Sequence, residues 1–160
     1  MSEILIRPAT AEDTDALVAI ALSEWQAIYD GYREQMGEEI FGIFYPDPRA
    51  DKEGQIRRNV ASGNCFVTEC DGRIAGFIHY LYDEASRIGT ISNNAVSHEF
   101  RGRGIGPRQY EFIFDLLRRK GAAGVRVTTG LDEGHAPARR AYEKAGFAAN
   151  TRAITYFKKL

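Results

Sequence analysis

Strand-like and helix-like spacings of apolar residues follow one another along the first third of the chain. Ile4–Ile6 predicts a short strand. Thr10 or Asp13 can cap a following helix, whose apolar residues recur every three to four positions. The same spacing continues past Trp25 into a second helical piece, and a further helix is expected over Asp51–Ala61. The first third is therefore predicted to be one strand followed by two or three helices.

The middle third has the pattern of an antiparallel meander. Cys65–Thr68 reads as a strand and leads to the Asp71-Gly72 pair, which is a strong hairpin signal between apolar runs. Ile74–Tyr82 is then the returning strand, and Ile88–Val96 follows a second turn as a third strand.

Helices and strands alternate again in the last third. Arg101–Gly106 is glycine-rich and precedes a helix with a 3.6-residue apolar pattern. Val125–Thr129 predicts a strand. The next helix is expected to start at Pro137 and to be capped by Gly146. Ala153–Phe157 predicts a last strand.

Composition bounds the class of protein. The chain has 160 residues, of which 44% are hydrophobic and 27% charged, and its net charge is -1. These values are typical of a folded globular chain, and the length predicts one domain over residues 1–160. A near-neutral total argues against a dedicated nucleic-acid binder.

Cysteine content and apolar runs exclude further classes. Cys65 and Cys70 are too few for a disulfide scaffold or a four-ligand zinc site, so we expect reduced thiols and no metal. The longest apolar run, Ala16–Leu22, is far shorter than the roughly 18 residues of a spanning helix. The chain shows no signal-peptide core at its start. We therefore expect a cytoplasmic protein with no membrane partner.

The glycine-rich segment can bind an anion. Its glycines allow the backbone to approach a ligand closely, and the start of the following helix favours negative charge. Arg101 and Arg103 add positive charge. The segment predicts a pyrophosphate cradle, although a glycine-rich turn without a ligand fits as well. A P-loop is excluded because Gly-Lys does not occur, and the third glycine of a dinucleotide fingerprint is replaced by Pro107 or Gln109.

Two motifs and the order of elements resemble a known superfamily. Val96–Gly106 resembles the acetyl-CoA loop of the GCN5-related N-acetyltransferases, the GNAT superfamily. Ala138–Phe147, about thirty residues further on, resembles the superfamily's second cofactor motif, and Ile6–Thr10 is a frequent start. The resemblance covers the whole chain. It implies an α+β GNAT fold, with a mixed, mostly antiparallel central sheet of six to seven strands, about four flanking helices and a splay between the central strands.

The resemblance also implies roles for single residues. Tyr142 would protonate the leaving CoA thiolate, since a phenol is protonated at pH 7. Ala95 and Val96 would pair with the pantetheine arm. His135 stands where the family often has an Asn that contacts this arm, and Pro107 lacks an N–H that many relatives offer. The residues expected to bind the pyrophosphate are Arg101, Gly102, Arg103, Gly104, Ile105 and Gly106.

The general base and the acceptor site are less defined. An ammonium acceptor must lose a proton before attack, and His79 is the best named base. A water relay on backbone carbonyls and Asn93 or Asn94 is an equal alternative. Up to residue 60 the chain holds twelve acidic against six basic residues. Residues of the N-terminal helices in this acidic part would bind a cationic amine. Helix packing alone would also explain the aromatic residues at this spacing. The candidates are Glu24, Trp25 and Tyr29.

Together these observations predict an acetyl-CoA-dependent N-acetyltransferase. The acetyl group would pass to a primary amine of a small molecule or peptide by direct attack in a ternary complex. A non-catalytic acetyl-CoA or CoA sensor on the same fold is the alternative. A nucleic-acid module is not favoured, because the local excess of positive charge over residues 101–126 is explained by cofactor phosphates. A homodimer is left open.

Overall fold

A mixed five-stranded sheet lies at the centre of the computed structural model, which describes residues 2–160. The strands are adjacent in chain order, with β1 to β4 antiparallel and β5 parallel to β4. The α+β class is therefore confirmed. The strands are β1 (Ile4–Pro8), β2 (Cys65–Cys70), β3 (Arg73–Asp83), β4 (Ile88–Val96) and β5 (Gly124–Val127).

Five helices surround this sheet. They are α1 (Thr14–Met36), α2 (Glu38–Phe44), α3 (Pro48–Ala61), α4 (Ile105–Arg119) and α5 (Ala136–Lys144). Of these, α2 packs on α1. The two helical pieces expected after Thr10 are one continuous helix, α1. It ends at Gly37, whose φ of 76° lies outside the helical region.

Consecutive residues of β3 pack into hydrophobic clusters on opposite faces of the sheet. Phe77 packs with Leu17 of α1 and Ile56 of α3 on one face. Ile78, the next residue, packs with Ile113 of α4 on the other face. This alternation follows from the two-residue period of a strand. It places α1 and α3 opposite α4 and α5, with the sheet between them.

The central strands separate halfway along β4. Pairing of β4 with β5 ends at Ile91 and Val127. Beyond that point β4 still pairs with β3, where Ala95 lies opposite Phe77. The other edge of Ser92–Val96 has no strand beside it within residues 2–160. A cleft therefore opens where the glycine-rich segment begins.

The expected last strand is wrong. Ala153–Phe157 has no regular secondary structure, and the sheet has five strands rather than six or seven. Ile154 and Tyr156 are 74% and 86% exposed, whereas Phe157 packs on Phe44 of α2 with 4.9 Å between ring centroids. Strand propensity alone was insufficient, because a strand also needs a backbone partner. The four-residue edge of β5 instead borders a groove of about 530 Å³.

None of the helices in residues 2–160 is long and apolar enough to cross a membrane.

Candidate active site

A cavity of about 760 Å³ lies in the cleft between β4 and β5. Its walls come from α1, the second half of β4, the start of α4, the segment after β5, and α5. It brings together many of the residues singled out in the sequence. These are Glu24, Trp25, Ala95, Val96, Arg101, Gly106, His135 and Tyr142.

The glycine-rich segment has the geometry of an anion cradle. Gly102 and Gly104 have φ values of 78° and 76°, which side chains rarely adopt. A Cβ added at Gly102, Gly104 or Gly106 would meet no protein atom within 4 Å, so the space over the segment is open. Ile105 is buried and anchors the segment in the core. The first-turn amides of Ile105 and Gly106 have no intrahelical acceptor and can bind an anion.

The cradle has fewer groups available for an anion than the sequence indicated, because Pro107 has no N–H and Arg103 does not line the cavity. Pro107 is in the first turn of α4 and offers no N–H. The Arg103 guanidinium lies 5.3 Å from the centre of the Phe100 ring and 3.6 Å from the Asp71 carboxylate. Arg103 is therefore held by the β2–β3 turn and does not line the cavity, as Arg101 does.

Glu24 of α1 binds the glycine-rich segment directly. Its side chain is only 11% exposed and forms an ion pair with Arg101. Its carboxylate also accepts a hydrogen bond of 3.0 Å from the backbone N–H of His98. Glu24 thus joins the wall of the cavity to the start of the cradle, in addition to facing the cavity as expected for an acceptor-binding residue.

Tyr142 lies in a hydrogen-bonded group at the base of the cleft. The Asn94 amide donates to the Tyr142 hydroxyl at 3.1 Å and to the Ser92 carbonyl at 3.0 Å. The Tyr110 hydroxyl donates to Oδ1 of Asn94 at 3.0 Å, which fixes the orientation of the amide. Burial raises the pKa of Tyr142 despite the hydrogen bond from Asn94. The phenol therefore carries its proton at neutral pH and can donate it.

Comparison with known proteins decides the family. The model of the acetyltransferase (GNAT) family matches residues 25–147, which is most of the chain. This chain belongs to the acetyltransferase (GNAT) family.

Individual relatives of the acetyltransferase agree with this assignment. Streptothricin acetyltransferase of Streptomyces lavendulae is 31% identical over 107 residues, which cover 66% of this chain and 56% of that protein. This chain thus spans little more than half the length of that relative.

Solved structures share the fold. The paia N-acetyltransferase from Thermoplasma acidophilum, in complex with coenzyme A, superposes with a TM-score of 0.71 at 20% identity over 97% of this chain and 96% of that chain. An aminoglycoside acetyltransferase from an uncultured soil metagenomic sample, in complex with sisomicin, gives 0.61 at 17% identity over 98% and 96%. At these identities the similarity shows the fold alone.

The structure does not bring His79 of the acetyltransferase to the cavity. His79 is buried, and its Nε2 lies 3.2 Å from Oγ of Ser62 at the end of α3. Because the Ser62 hydroxyl donates to the Asn59 carbonyl, Nε2 of His79 must carry the proton of the neutral ring. Nδ1 is buried without a hydrogen-bond partner among residues 2–160. Burial lowers the pKa of His79 to about 4.

The aromatic residues of α1 are divided between the cavity and a separate cluster. Trp25 lines the cavity, and the Lys52 ammonium lies 4.2 Å from the centre of its ring. Lys52 is buried and donates to Asn93 at 3.0 Å, and burial lowers its pKa to about 8. Tyr29 packs with Tyr32 and Tyr45 and does not line the cavity.

Several residues of the site were missed by sequence reasoning. Asp132 lies 2.7 Å from Nδ1 of His135, and Thr129 lines the cavity beside them. Tyr110 contacts Tyr142 with a ring separation of 5.7 Å. The spacing of Asp132 three residues before His135 could have indicated that these two side chains form a hydrogen bond. Tyr110 gave no signal, since its spacing on α4 is that of a core residue. Within residues 2–160, no group of His, Cys, Asp and Glu side chains could hold a metal ion.

Proposed function

We propose that this acetyltransferase transfers the acetyl group of acetyl-CoA to a primary amine of a small cationic molecule. The amine attacks directly, in a ternary complex. The observation that carries the proposal is that a single cavity in the β4–β5 cleft joins the glycine cradle, Tyr142 and the acidic and aromatic wall of α1. Its volume of about 760 Å³ is in the range of small-ligand sites.

The residues around the cleft fit two parts of acetyl-CoA, its pyrophosphate and its pantetheine arm. The open space over Gly102, Gly104 and Gly106, together with free first-turn amides, suits a pyrophosphate. The unpaired edge of Ser92–Val96 offers backbone N–H and C=O groups to an extended arm that carries amides of its own. Ser92–Val96, Gly106 and Tyr142 all line the same cavity.

Direct transfer is favoured over a covalent acetyl-enzyme. The two cysteines of the chain, Cys65 and Cys70, are buried and free, and neither lines the cavity. Burial raises the pKa of Cys65 to about 12, so its thiol is a poor nucleophile at neutral pH. Tyr142 supplies the proton for the leaving thiolate, and the Asn94 amide stabilises the phenolate that remains.

A small cationic acceptor is supported by the part of the cavity wall that lies away from the CoA-binding edge of β4. Trp25 offers an aromatic face, and Thr129 offers a hydroxyl without a hydrogen-bond partner, at the cavity wall. The names of two relatives, streptothricin acetyltransferase and an aminoglycoside acetyltransferase with sisomicin, point to compounds that carry several amines. A peptide amine is the second candidate, favoured by the open rim of the cleft.

An amine panel tests the proposal. Thiol release from acetyl-CoA is followed with streptothricin, sisomicin, spermidine and a lysine-containing tetrapeptide, with an amine-free reaction as background. The proposal predicts turnover with at least one polycationic small molecule and slower turnover with the peptide. Acetyl-CoA binding in calorimetry without amine-dependent turnover would instead support a sensor.

A further inference from the structure

A histidine and an aspartate form a hydrogen-bonded pair where the segment after β5 meets α5. Nδ1 of His135 lies 2.7 Å from Oδ1 of Asp132, and their side chains are 14% and 11% exposed. His135 lines the cavity and directly precedes α5. Its ring lies 6.0 Å from that of Tyr32 on α1, the helix expected to bind the acceptor. The pair therefore lies between the acceptor wall and the helix that carries Tyr142.

Two glycines make room for this pair. A Cβ at Gly130 would overlap Oδ1 of Asp132 and Nδ1 of His135. A Cβ at Gly134 would lie 3.0 Å from Oδ2 of Asp132 and 3.2 Å from Cα of Ile28 in α1. Because neither glycine has a positive φ, close packing rather than backbone conformation requires them. The segment is thus packed tightly around the two side chains.

Two polar atoms beside the pair have no protein partner. Oδ2 of Asp132 and Oγ1 of Thr129 are both buried without a hydrogen bond to any of residues 2–160. Buried polar groups are normally paired, and Thr129 lines the cavity, so its unpaired hydroxyl indicates a ligand that can hydrogen-bond there. An ammonium or hydroxyl group of an acceptor can form such a hydrogen bond.

The hydrogen bond to Asp132 determines the form of the imidazole. A carboxylate only accepts, so Nδ1 of His135 carries the proton in the neutral ring and Nε2 carries a lone pair. No hydrogen bond to residues 2–160 engages Nε2, and it is not among their buried unpaired atoms. Nε2 is therefore accessible to take a proton.

His135 and Tyr142 line the same cavity, so both can face one bound acetyl group. His135 directly precedes α5, and Tyr142 follows within that helix about two turns or roughly 10 Å further on. Side chains of a helix lean toward its N-terminus, so the Tyr142 ring is directed back toward His135. The attacking nitrogen and the leaving sulfur, which both bond to the acetyl carbon, fit between two such groups.

We propose that His135, oriented by Asp132, is the general base that deprotonates the acceptor amine. This inference rests on the proposed N-acetyltransferase function. It replaces His79, which lies outside the cavity, and it gives His135 a role other than contact with the pantetheine arm.

The proton balance of the proposed step is complete. The ammonium gives one proton to Nε2 of His135, which passes it to solvent. The neutral nitrogen then forms a bond to the thioester carbonyl carbon, the carbon–sulfur bond breaks, and the thiolate takes the Tyr142 proton. The nitrogen loses its second proton through solvent to the Tyr142 phenolate. One amide, one thiol and one proton result.

The groups around His135 that carry charge or titrate are few. Asp132 is on its own segment, and the neighbouring Glu133 is exposed. Arg139 of α5 donates to the backbone carbonyls of Gly130 and Asp132 at 2.8 and 2.7 Å, so its charge lies behind the pair. The Tyr32 ring of α1 lies 6.0 Å from the imidazole, and burial, with a contribution from the charge of Asp132, raises the pKa of the Tyr32 hydroxyl. Arg140 of α5 and Glu24 of α1 line the same cavity.

His135→Asn separates the two roles of this residue. Asn keeps a donor and an acceptor for a pantetheine amide but cannot take up a proton. With the panel amine that gives the largest wild-type kcat/KM, we expect kcat to fall by about 100-fold or more. The Kd of acetyl-CoA in calorimetry should stay within about threefold of wild type. The wild-type decrease of kcat at acidic pH should be lost.

Asp132→Asn tests the positioning role, with Glu133→Gln as the matched control for loss of one neighbouring charge. An amide at position 132 can present either its oxygen or its NH2 group to Nδ1, so the ring is no longer held with Nε2 free, and kcat should fall while the Kd of acetyl-CoA stays near the wild-type value. Glu133→Gln should change neither quantity.

Three results would overturn the assignment. The first is an unchanged kcat and pH profile in His135→Asn. The second is weakened acetyl-CoA binding with an unchanged kcat at saturating cofactor, which would leave His135 as a pantetheine ligand. The third is no wild-type turnover with any panel amine, which would overturn the proposed function together with the base. The first two leave the proposed function intact.

Discussion

The side-chain amide of Asn94 donates to the hydroxyl oxygen of Tyr142 at 3.1 Å. Asn94 belongs to the splayed half of β4 and Tyr142 to α5, so this bond spans the base of the cleft. Because the oxygen accepts from Asn94, the phenolic proton is left for another acceptor. The same bond favours the phenolate after the proton has left, as a general acid requires.

Tyr142→Phe should lower kcat while leaving acetyl-CoA affinity nearly unchanged, because the proton is needed only as the thiolate departs. A general acid contributes about 10²–10⁴-fold, and a decrease in that range is expected where chemistry limits turnover. Tyr110→Phe removes a neighbouring hydroxyl that only orients Asn94, so its decrease should be smaller. Steady-state kinetics of the two variants checks this. A wild-type kcat in Tyr142→Phe would mean that the thiolate takes its proton elsewhere.

Gly106→Val should weaken acetyl-CoA binding at least tenfold, or about 1.4 kcal/mol. Gly106 has no positive φ, and its Cβ would meet no protein atom, so the valine fits the fold but occupies the approach of the phosphates. Gly104 is less suitable, since any side chain there is strained. Gly42→Val, in a similarly open helical position of α2, is the control. Equal Kd values for Gly106→Val and wild type would rule out the cradle.

Glu24→Ala should also weaken acetyl-CoA binding, by roughly three- to tenfold, because the segment after β4 loses its ion pair and an N–H acceptor. Asp30→Ala is the control, since Asp30 is exposed on the same helix. Titration calorimetry of both variants gives the comparison. If instead only the KM of the amine changed, Glu24 would act on the acceptor alone, as its sequence position first indicated.

His79 should make the acetyltransferase sensitive to acid. Its pKa is about 4 in the folded protein and near 6.5 when unfolded, so the unfolded state binds more protons between these values. The contribution of the neutral His79 ring to the free energy of unfolding is therefore complete above about pH 6.5, and it is lost as the pH falls toward 4. The loss should reach about 3 kcal/mol. Urea unfolding of wild type and His79→Gln from pH 7 to pH 4 measures it, and parallel pH dependences would contradict it.

The order of elements up to α5 and the open glycine-rich turn followed from the sequence because local features determine them. Asp71-Gly72 forms a turn at the predicted place, and Asp71 has the positive φ that such a turn requires. The apolar pattern of α4 faces the core as expected. The motif around Tyr142 placed a phenol in the cleft, although its partners Asn94 and Tyr110 were not expected.

The remaining features depend on contacts between distant parts of the chain. The pairing of Glu24 with Arg101 joins residues 77 positions apart. The strand expected over Ala153–Phe157 did not form, since no local pattern shows whether a sheet edge will receive it. His79 was a reasonable base from its strand position alone. Its burial against Ser62 follows only from the packing of α3 on the sheet.

Direct transfer in the β4–β5 cleft is tested most directly by the initial-velocity pattern with acetyl-CoA and sisomicin varied together. A ternary complex requires both substrates to be bound before the first product leaves. The account therefore predicts double-reciprocal lines that intersect, with no thiol release in the absence of the amine. Parallel lines, together with a burst of thiol before the amine is added, would show an acetyl-enzyme and contradict the account.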